Sequence, residues 1–132
     1  MGKLQNIINV EASSQQLEEG YDFSPELAID NDTTTRWSSK FEDPQWIIFE
    51  LKDETVIRAI HILWEFASAK VYSIDISKDN KLWKTVAEIF NGTPGEDRII
   101  SFNSVSAKYV RIYCKQRNGQ WGYSIRECDI LK

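Results

Sequence analysis

Lys70-Val71-Tyr72-Ser73-Ile74-Asp75-Ile76-Ser77 is the stretch on which the fold turns. Tyr72, Ile74 and Ile76 alternate with Val71, Ser73, Asp75 and Ser77, and a period of two marks a strand with one face in a core. The run Ser77-Lys78-Asp79-Asn80-Lys81 follows at once, with the residues that reverse a chain. Working outward, strand-like segments recur at 7–13, 45–51, 55–65, 83–90, 98–103, 108–115 and 124–131. Asn91-Gly92-Thr93-Pro94-Gly95 reads as a longer loop, and Pro44 forces an extended residue before it and hands the chain into a strand. Ser24-Pro25-Glu26 signals a helix start, with an N-cap hydroxyl, proline at the first helical position and an early acid. That helix has room for about one turn, because turn-forming residues begin at Asp30. Short strands with regular turns and no long amphipathic helix predict an all-β protein, an antiparallel β-sandwich in a single domain spanning 1–132.

The chain of 132 residues is 42% hydrophobic and 12% aromatic, enough for a real core. A net charge of −4 argues against nucleic acid or an anionic membrane as the main partner. No apolar run approaches the ~20 residues of a membrane span. The start shows no signal-peptide pattern, so a secreted parent is expected to carry this stretch as one module. Cys114 and Cys128 are too few for a disulfide scaffold. Each falls on the inward phase of a strand, and buried free thiols are expected rather than a bridge.

The second informative stretch is Ala28-Ile29-Asp30-Asn31-Asp32-Thr33-Thr34-Thr35-Arg36-Trp37. Asp30, Asp32 and Thr35 place three oxygen side chains within six residues, the donor type a hard cation such as calcium prefers. The EF-hand pattern fails, with Thr35 where that loop needs glycine and Phe41 where it needs glutamate. The residues alone leave two readings open, a cation cradle or a turn capped by its own carboxylates.

Four blocks in order, Ala28-Ile29-Asp30-x-Asp32-x-x-Thr35-Arg36-Trp37, Asp43-Pro44-Gln45-Trp46, Ala107-Lys108-Tyr109-Val110-Arg111-Ile112 and Tyr123-Ser124-Ile125-x-Glu127, carry a family likeness. The set resembles the discoidin (coagulation factor V/VIII C-type) superfamily, and most closely its family 32 carbohydrate-binding modules. The resemblance covers nearly the whole chain and implies an eight-stranded discoidin-type jelly-roll. It also implies a structural calcium held by side chains of Asp30, Asp32, Thr35 and Glu127 and by the carbonyls of Leu27 and Arg126. It implies an extracellular, monomeric module of a larger multidomain protein, with a glycan or oligosaccharide as partner.

Three loops have contents unusual for connectors: 38–43 with Phe41, 64–70, and 116–123. Sugar recognition needs an aromatic plane for C–H faces and polar groups for hydroxyls. Trp121, between two glycines, offers the plane. Phe41, Glu65, Lys70, Arg117, Asn118 and Tyr123 complete the expected carbohydrate-binding set. Trp64 continues the apolar phase of Ile60 and Ile62 and is expected in the core, as are Trp46 and Trp83 as packing residues. Trp37 is expected to roof the acidic turn, and Glu65 and Lys70 have the alternative of pairing across a hairpin. His61 is expected at the surface. Galactose-binding relatives often carry histidine where this chain has Ser38, and an arginine where it has Trp64-Glu65. The resemblance implies terminal sugars of the galactose or N-acetylglucosamine type, and the departures put a β-linked glucan or mannan, gripped at a chain end, on a par with them.

Catalysis is not expected. A glycosidase needs two facing carboxylates about 5–9.5 Å apart, and no acidic pair here stands in an aromatic, cleft-like context. Metalloprotease, P-loop and Cys–His signatures are absent from the sequence. The competing class is an adhesion module that binds a membrane lipid or a protein, with Phe41 and Trp121 as apolar tips beside Lys40 and Arg117.

Overall fold

The computed structural model describes residues 6–132. Seven strands form: β1 (Ile7–Ala12), β2 (Trp37–Ser38), β3 (Gln45–Trp64), β4 (Ala69–Ser77), β5 (Lys84–Ile89), β6 (Asp97–Arg117) and β7 (Ser124–Leu131). All pairings are antiparallel. The eight expected strands differ from this in two respects: 45–51 and 55–65 are a single strand, as are 98–103 and 108–115, and the short β2 was not expected. The polar run Lys52-Asp53-Glu54 is a bend, and register between β3 and β6 is lost from Glu50 to Thr55 and then resumes. Lys108 Nζ bridges the bend, donating to the Leu51 carbonyl and to the Lys52 carbonyl at 3.2 Å. A side-chain cation thus occupies carbonyls that a continuous ladder would have used.

Because both long strands bend together, each contributes to two sheets. One sheet orders β1, the first half of β3, the second half of β6, β4 and β5. The other orders the first half of β6, the second half of β3, β7 and β2. The core between them contains Ile47, Phe49, Ile60, Ile62, Ile74, Ile112, Ile125 and Ile130, all buried. The alternation of Tyr72, Ile74 and Ile76 holds, but their partners Ser73, Asp75 and Ser77 are buried too. Asp75 is satisfied there by Arg111 Nε at 2.9 Å and Thr85 Oγ1 at 2.8 Å.

Trp64 is in the core as expected, and Cys114 and Cys128 are buried and not bridged to each other. Trp46 and Trp83 are half-buried, and the Arg111 guanidinium sits 4.3 Å over the Trp83 ring. The helix signal yields one 3-10 turn, Pro25–Ala28, for which Ser24 supplies no side-chain cap. Trp37 lies deeper than a roof over the acidic turn: it is fully buried in β2, its indole donating to the Ser14 carbonyl at 3.0 Å. His61 is corrected more sharply. It is half-buried, with Nδ1 3.1 Å from Asp129 and Nε2 against Asp97. Burial disfavours its charged form, but the two aspartates outweigh that and raise its pKa above the ordinary histidine value.

Candidate functional site

The three unusual loops meet at one end of the sandwich, stitched by backbone hydrogen bonds. Ser39 N–H donates to the Tyr123 carbonyl at 2.9 Å, and Tyr123 N–H to Ser39 Oγ at 2.9 Å. Ser124 N–H donates to the Ala67 carbonyl at 2.8 Å, Glu65 N–H to the Ser124 carbonyl at 3.0 Å, and Asn118 N–H to the Ser68 carbonyl at 3.0 Å. Loops tied in this way hold their side chains on a rigid frame.

At their junction lies a cavity of about 240 Å³. Phe41 and Trp121 stand edge-to-face at its mouth, ring centroids 5.7 Å apart and planes at 86°. Both rings are exposed, at 47% and 52%, and because they touch they form one apolar patch rather than two scattered residues. Glu65 lines the same cavity, its carboxylate accepting from Ala67 N–H at 2.7 Å. That bond replaces the alternative pairing with Lys70.

The expected set divides. Phe41, Glu65 and Trp121 come together, whereas Asn118 lines a neighbouring cavity with its amide on Ser68 Oγ at 2.8 Å. Lys70 is exposed on β4 and lines none of the cavities at this end. Arg117 is committed to structure, Nε donating to Asp43 Oδ1 at 3.1 Å. Tyr123 is fully buried, which rules its ring out as a sugar platform, and its hydroxyl also donates to Asp43. Burial, with that hydrogen bond, pushes the Tyr123 pKa far up, so the hydroxyl stays a donor. Asp43 thereby locks the first loop onto the third.

The lining also includes Gln16, Arg36 and Phe66, together with Ala67, Gly122 and Ser124, none of which was in the expected binding set. Gln16 belongs to a loop without periodicity, held by its N–H on the Ser38 carbonyl at 2.7 Å. The Arg36 guanidinium lies 4.8 Å over the Phe23 ring and its Nε donates to Ser38 Oγ at 3.2 Å, so it is pre-positioned. Phe66 is 71% exposed on the loop between β3 and β4. A large aromatic between Glu65 and Ala67-Ser68, where β-turn residues would be ordinary, was the available signal.

The acidic turn is separate. Asn31 adopts φ 61°, and its N–H reaches Glu127 Oε1 at 3.2 Å, bringing the C-terminal strand to the turn. Asp30 accepts from Asp32 N–H at 3.0 Å and from the Thr35 hydroxyl. Asp32 accepts from Thr34 N–H at 2.9 Å and the Thr34 hydroxyl at 2.6 Å, and these bonds hold its pKa below the usual carboxylate range. Arg126 is the extra residue of a bulge where β7 shifts register between Leu63 and Trp64, and its guanidinium donates to the Thr33 carbonyl at 3.1 Å. Every donor in the expected set of Leu27, Asp30, Asp32, Thr35, Arg126 and Glu127 is an oxygen, a chemistry that fits a hard cation. Among the described residues, however, no three acidic, histidine or cysteine side chains surround one point. Asp30 and Asp32 face donors of their own turn.

Residues 9–128 match the family model described as "F5/8 type C domain". A polysaccharide lyase 8 family protein, HylA, of Enterococcus faecalis (strain ATCC 700802 / V583) is 34% identical over 91 residues. That match takes in 67% of this chain but only 7% of the relative. Chitosan-binding module 1 of a chitosanase/glucanase from Paenibacillus sp. IK-5 is 33% identical, with 100% of each chain covered and a TM-score of 0.90. Module 2 of the same enzyme, solved with chitotriose, is 32% identical over 96% of this chain and 97% of that one, with a TM-score of 0.86. Other solved neighbours are family 32 carbohydrate-binding modules.

Proposed function

The chain belongs to the F5/8 type C domain family, and from that we propose that it is a non-catalytic glycan-binding module whose site is the cavity between Phe41 and Trp121. The observation that carries this reading is the exposed edge-to-face aromatic pair at the mouth of a cavity that also holds Gln16, Arg36 and Glu65. The rings supply flat apolar faces for a sugar's C–H groups, and the three polar side chains meet its hydroxyl or amino groups. A shallow site of this kind makes a weak contact, which serves an attached carbohydrate-active enzyme by raising its local concentration at the substrate. The module is read as one extracellular, monomeric unit of such a larger protein.

Within that class, a glucosamine-type chain is the ligand we favour. Two modules named chitosan-binding are 33% and 32% identical over almost the entire chain. A carboxylate in the cavity and a net charge of −4 suit a cationic chain. Ser38 speaks against galactose, because it is buried with Oγ 2.7 Å from Ser124 Oγ and is out of a sugar's reach.

We read the acidic turn as a structural calcium site, with Asp30, Asp32, Thr35 and Glu127 as side-chain ligands and Leu27 and Arg126 giving carbonyls. The all-oxygen donor set and the meeting of turn and Glu127 support it. Calcium would brace the turn that precedes Arg36 and Trp37.

A glycan-array screen of the domain in calcium buffer, with Trp121→Ala beside it, tests the function. Signal on amino-sugar chains that disappears in the variant is the expected result. A silent array together with binding to anionic vesicles would replace this reading with the lipid-binding one.

A further inference from the structure

We infer that the module grips an internal stretch of three consecutive sugars in an unbranched chain, rather than a chain end. The inference rests on the glycan-binding reading above. Two further cavities adjoin the central one, each sharing part of its lining and neither sharing any with the other. One neighbour, of about 460 Å³, is lined by Gln16, Leu17, Glu18, Lys40 and Phe41. The other, of about 210 Å³, includes Phe66, Pro94, Asn118, Gln120 and Trp121.

The walls between these cavities are shared. Gln16 and Phe41 line the central cavity and the first neighbour, while Phe66 and Trp121 line the central cavity and the second. Each aromatic therefore borders two adjacent positions, as a chain of rings requires. The central space of about 240 Å³ is below the ~300 Å³ at which drug-sized ligand pockets begin. By itself it suits a single ring; a longer ligand must run into its neighbours.

Leu17 is the second observation. It is 83% exposed, yet its neighbour Gln16 is fixed by the 2.7 Å bond to Ser38. An apolar side chain held out on an anchored loop beside Phe41 offers a platform for one more ring. At the opposite end Gln120 is exposed and offers polar groups to a third.

Charge narrows the specificity. Glu65 and Arg36 line the central position, Glu18 and Lys40 are of opposite sign in the first flanking position, and the second has no charged lining residue. The second flank therefore has no group that selects a charged sugar, whereas the central position and the first flank each carry one group of either sign.

The test is calorimetric titration with β-1,4-linked glucosamine monomer, dimer, trimer and tetramer, and with a trimer blocked at its non-reducing 4-hydroxyl. Affinity should climb to the trimer and level off at the tetramer, and the blocked trimer should bind like the open one. Leu17→Ser, which melts like the parent because Leu17 is exposed, should weaken the trimer about fivefold and leave the monomer unchanged. Gln120→Ala should act on the trimer in the same direction. A monomer that binds as tightly as the trimer, or loss of binding on blocking, overturns the three-sugar inference and leaves the glycan-binding function standing. Failure of every oligomer while another sugar class binds removes the glucosamine reading; failure of all glycans removes the function itself.

Discussion

Gly122→Ala is the substitution whose outcome the structure constrains most tightly. A β-carbon there would lie 2.6 Å from the Ser39 carbonyl oxygen, 2.8 Å from that of Lys40 and 2.8 Å from Ser39 Oγ. All three are well inside the 3.4 Å at which ordinary contact begins, and two belong to backbone that cannot rotate away. The loops carrying Ser39 and Tyr123 would have to part, straining the two 2.9 Å bonds between them. Overpacking of this kind costs about 1–3 kcal/mol, a fall of about 3–10 °C in melting temperature for a domain of this size. Phe41 and Trp121 lie just along the chain from the clash on either side, so their edge-to-face contact should open as well. Glycan affinity should drop at least about tenfold, equivalent to about 1.4 kcal/mol. Gly119→Ala is the matched control, since nothing lies within 4 Å of its new β-carbon. Thermal melts and calorimetry on both variants decide the matter. If Gly122→Ala melts and binds like Gly119→Ala, the loops are not held together as described.

Other perturbations probe separate parts of the molecule. Glu127→Ala should lower the melting temperature in calcium buffer, and chelator should lower that of the parent but hardly shift the variant; a parent indifferent to chelator contradicts the calcium assignment. Asp43→Ala strips the shared acceptor from Tyr123 and Arg117 and should cost about 2 kcal/mol in urea unfolding, whereas a neutral result would mean the lock between loops is unimportant. His61 has a raised folded-state pKa, so its stabilisation is complete below the ordinary value of 6.5 and is lost as pH rises through the raised one. The melting temperature of the parent should therefore fall more than that of His61→Gln as pH rises from below 6.5 to above the raised value, and parallel pH curves would refute the pairing of His61 with Asp97 and Asp129.

The sandwich was legible because alternation is local: Tyr72, Ile74 and Ile76 announce an inward face without knowledge of any partner. Strand length was not, because Lys52-Asp53-Glu54 has the composition of a turn and becomes a bend only when β6 pairs on both sides of it. Similarly, Phe41, Glu65 and Trp121 were legible as oddities within connecting loops. Arg36 and Gln16 were not, since what brings them to the cavity is a cation stacked on Phe23 and a backbone bond to Ser38. Tyr123 misled for the converse reason. An aromatic in a glycine-rich loop looks displayed, but Asp43 offers its hydroxyl a partner inside, and burial of the ring follows. His61 misled in the same way, because its two aspartates come from β6 and β7.

The chain has five tryptophans, and only Trp121 is exposed in the cavity region. Trp37 and Trp64 are buried, Trp46 is half-buried in β3, and Trp83 lines a separate cavity with Leu82. Their indole N–H resonances in a nitrogen-15 spectrum therefore report on where a ligand sits. On titration with glucosamine trimer, the Trp121 resonance should shift progressively while those of Trp37, Trp64 and Trp83 stay in place. A shift of Trp83 with Trp121 unmoved would put the glycan on the opposite surface and contradict the site described.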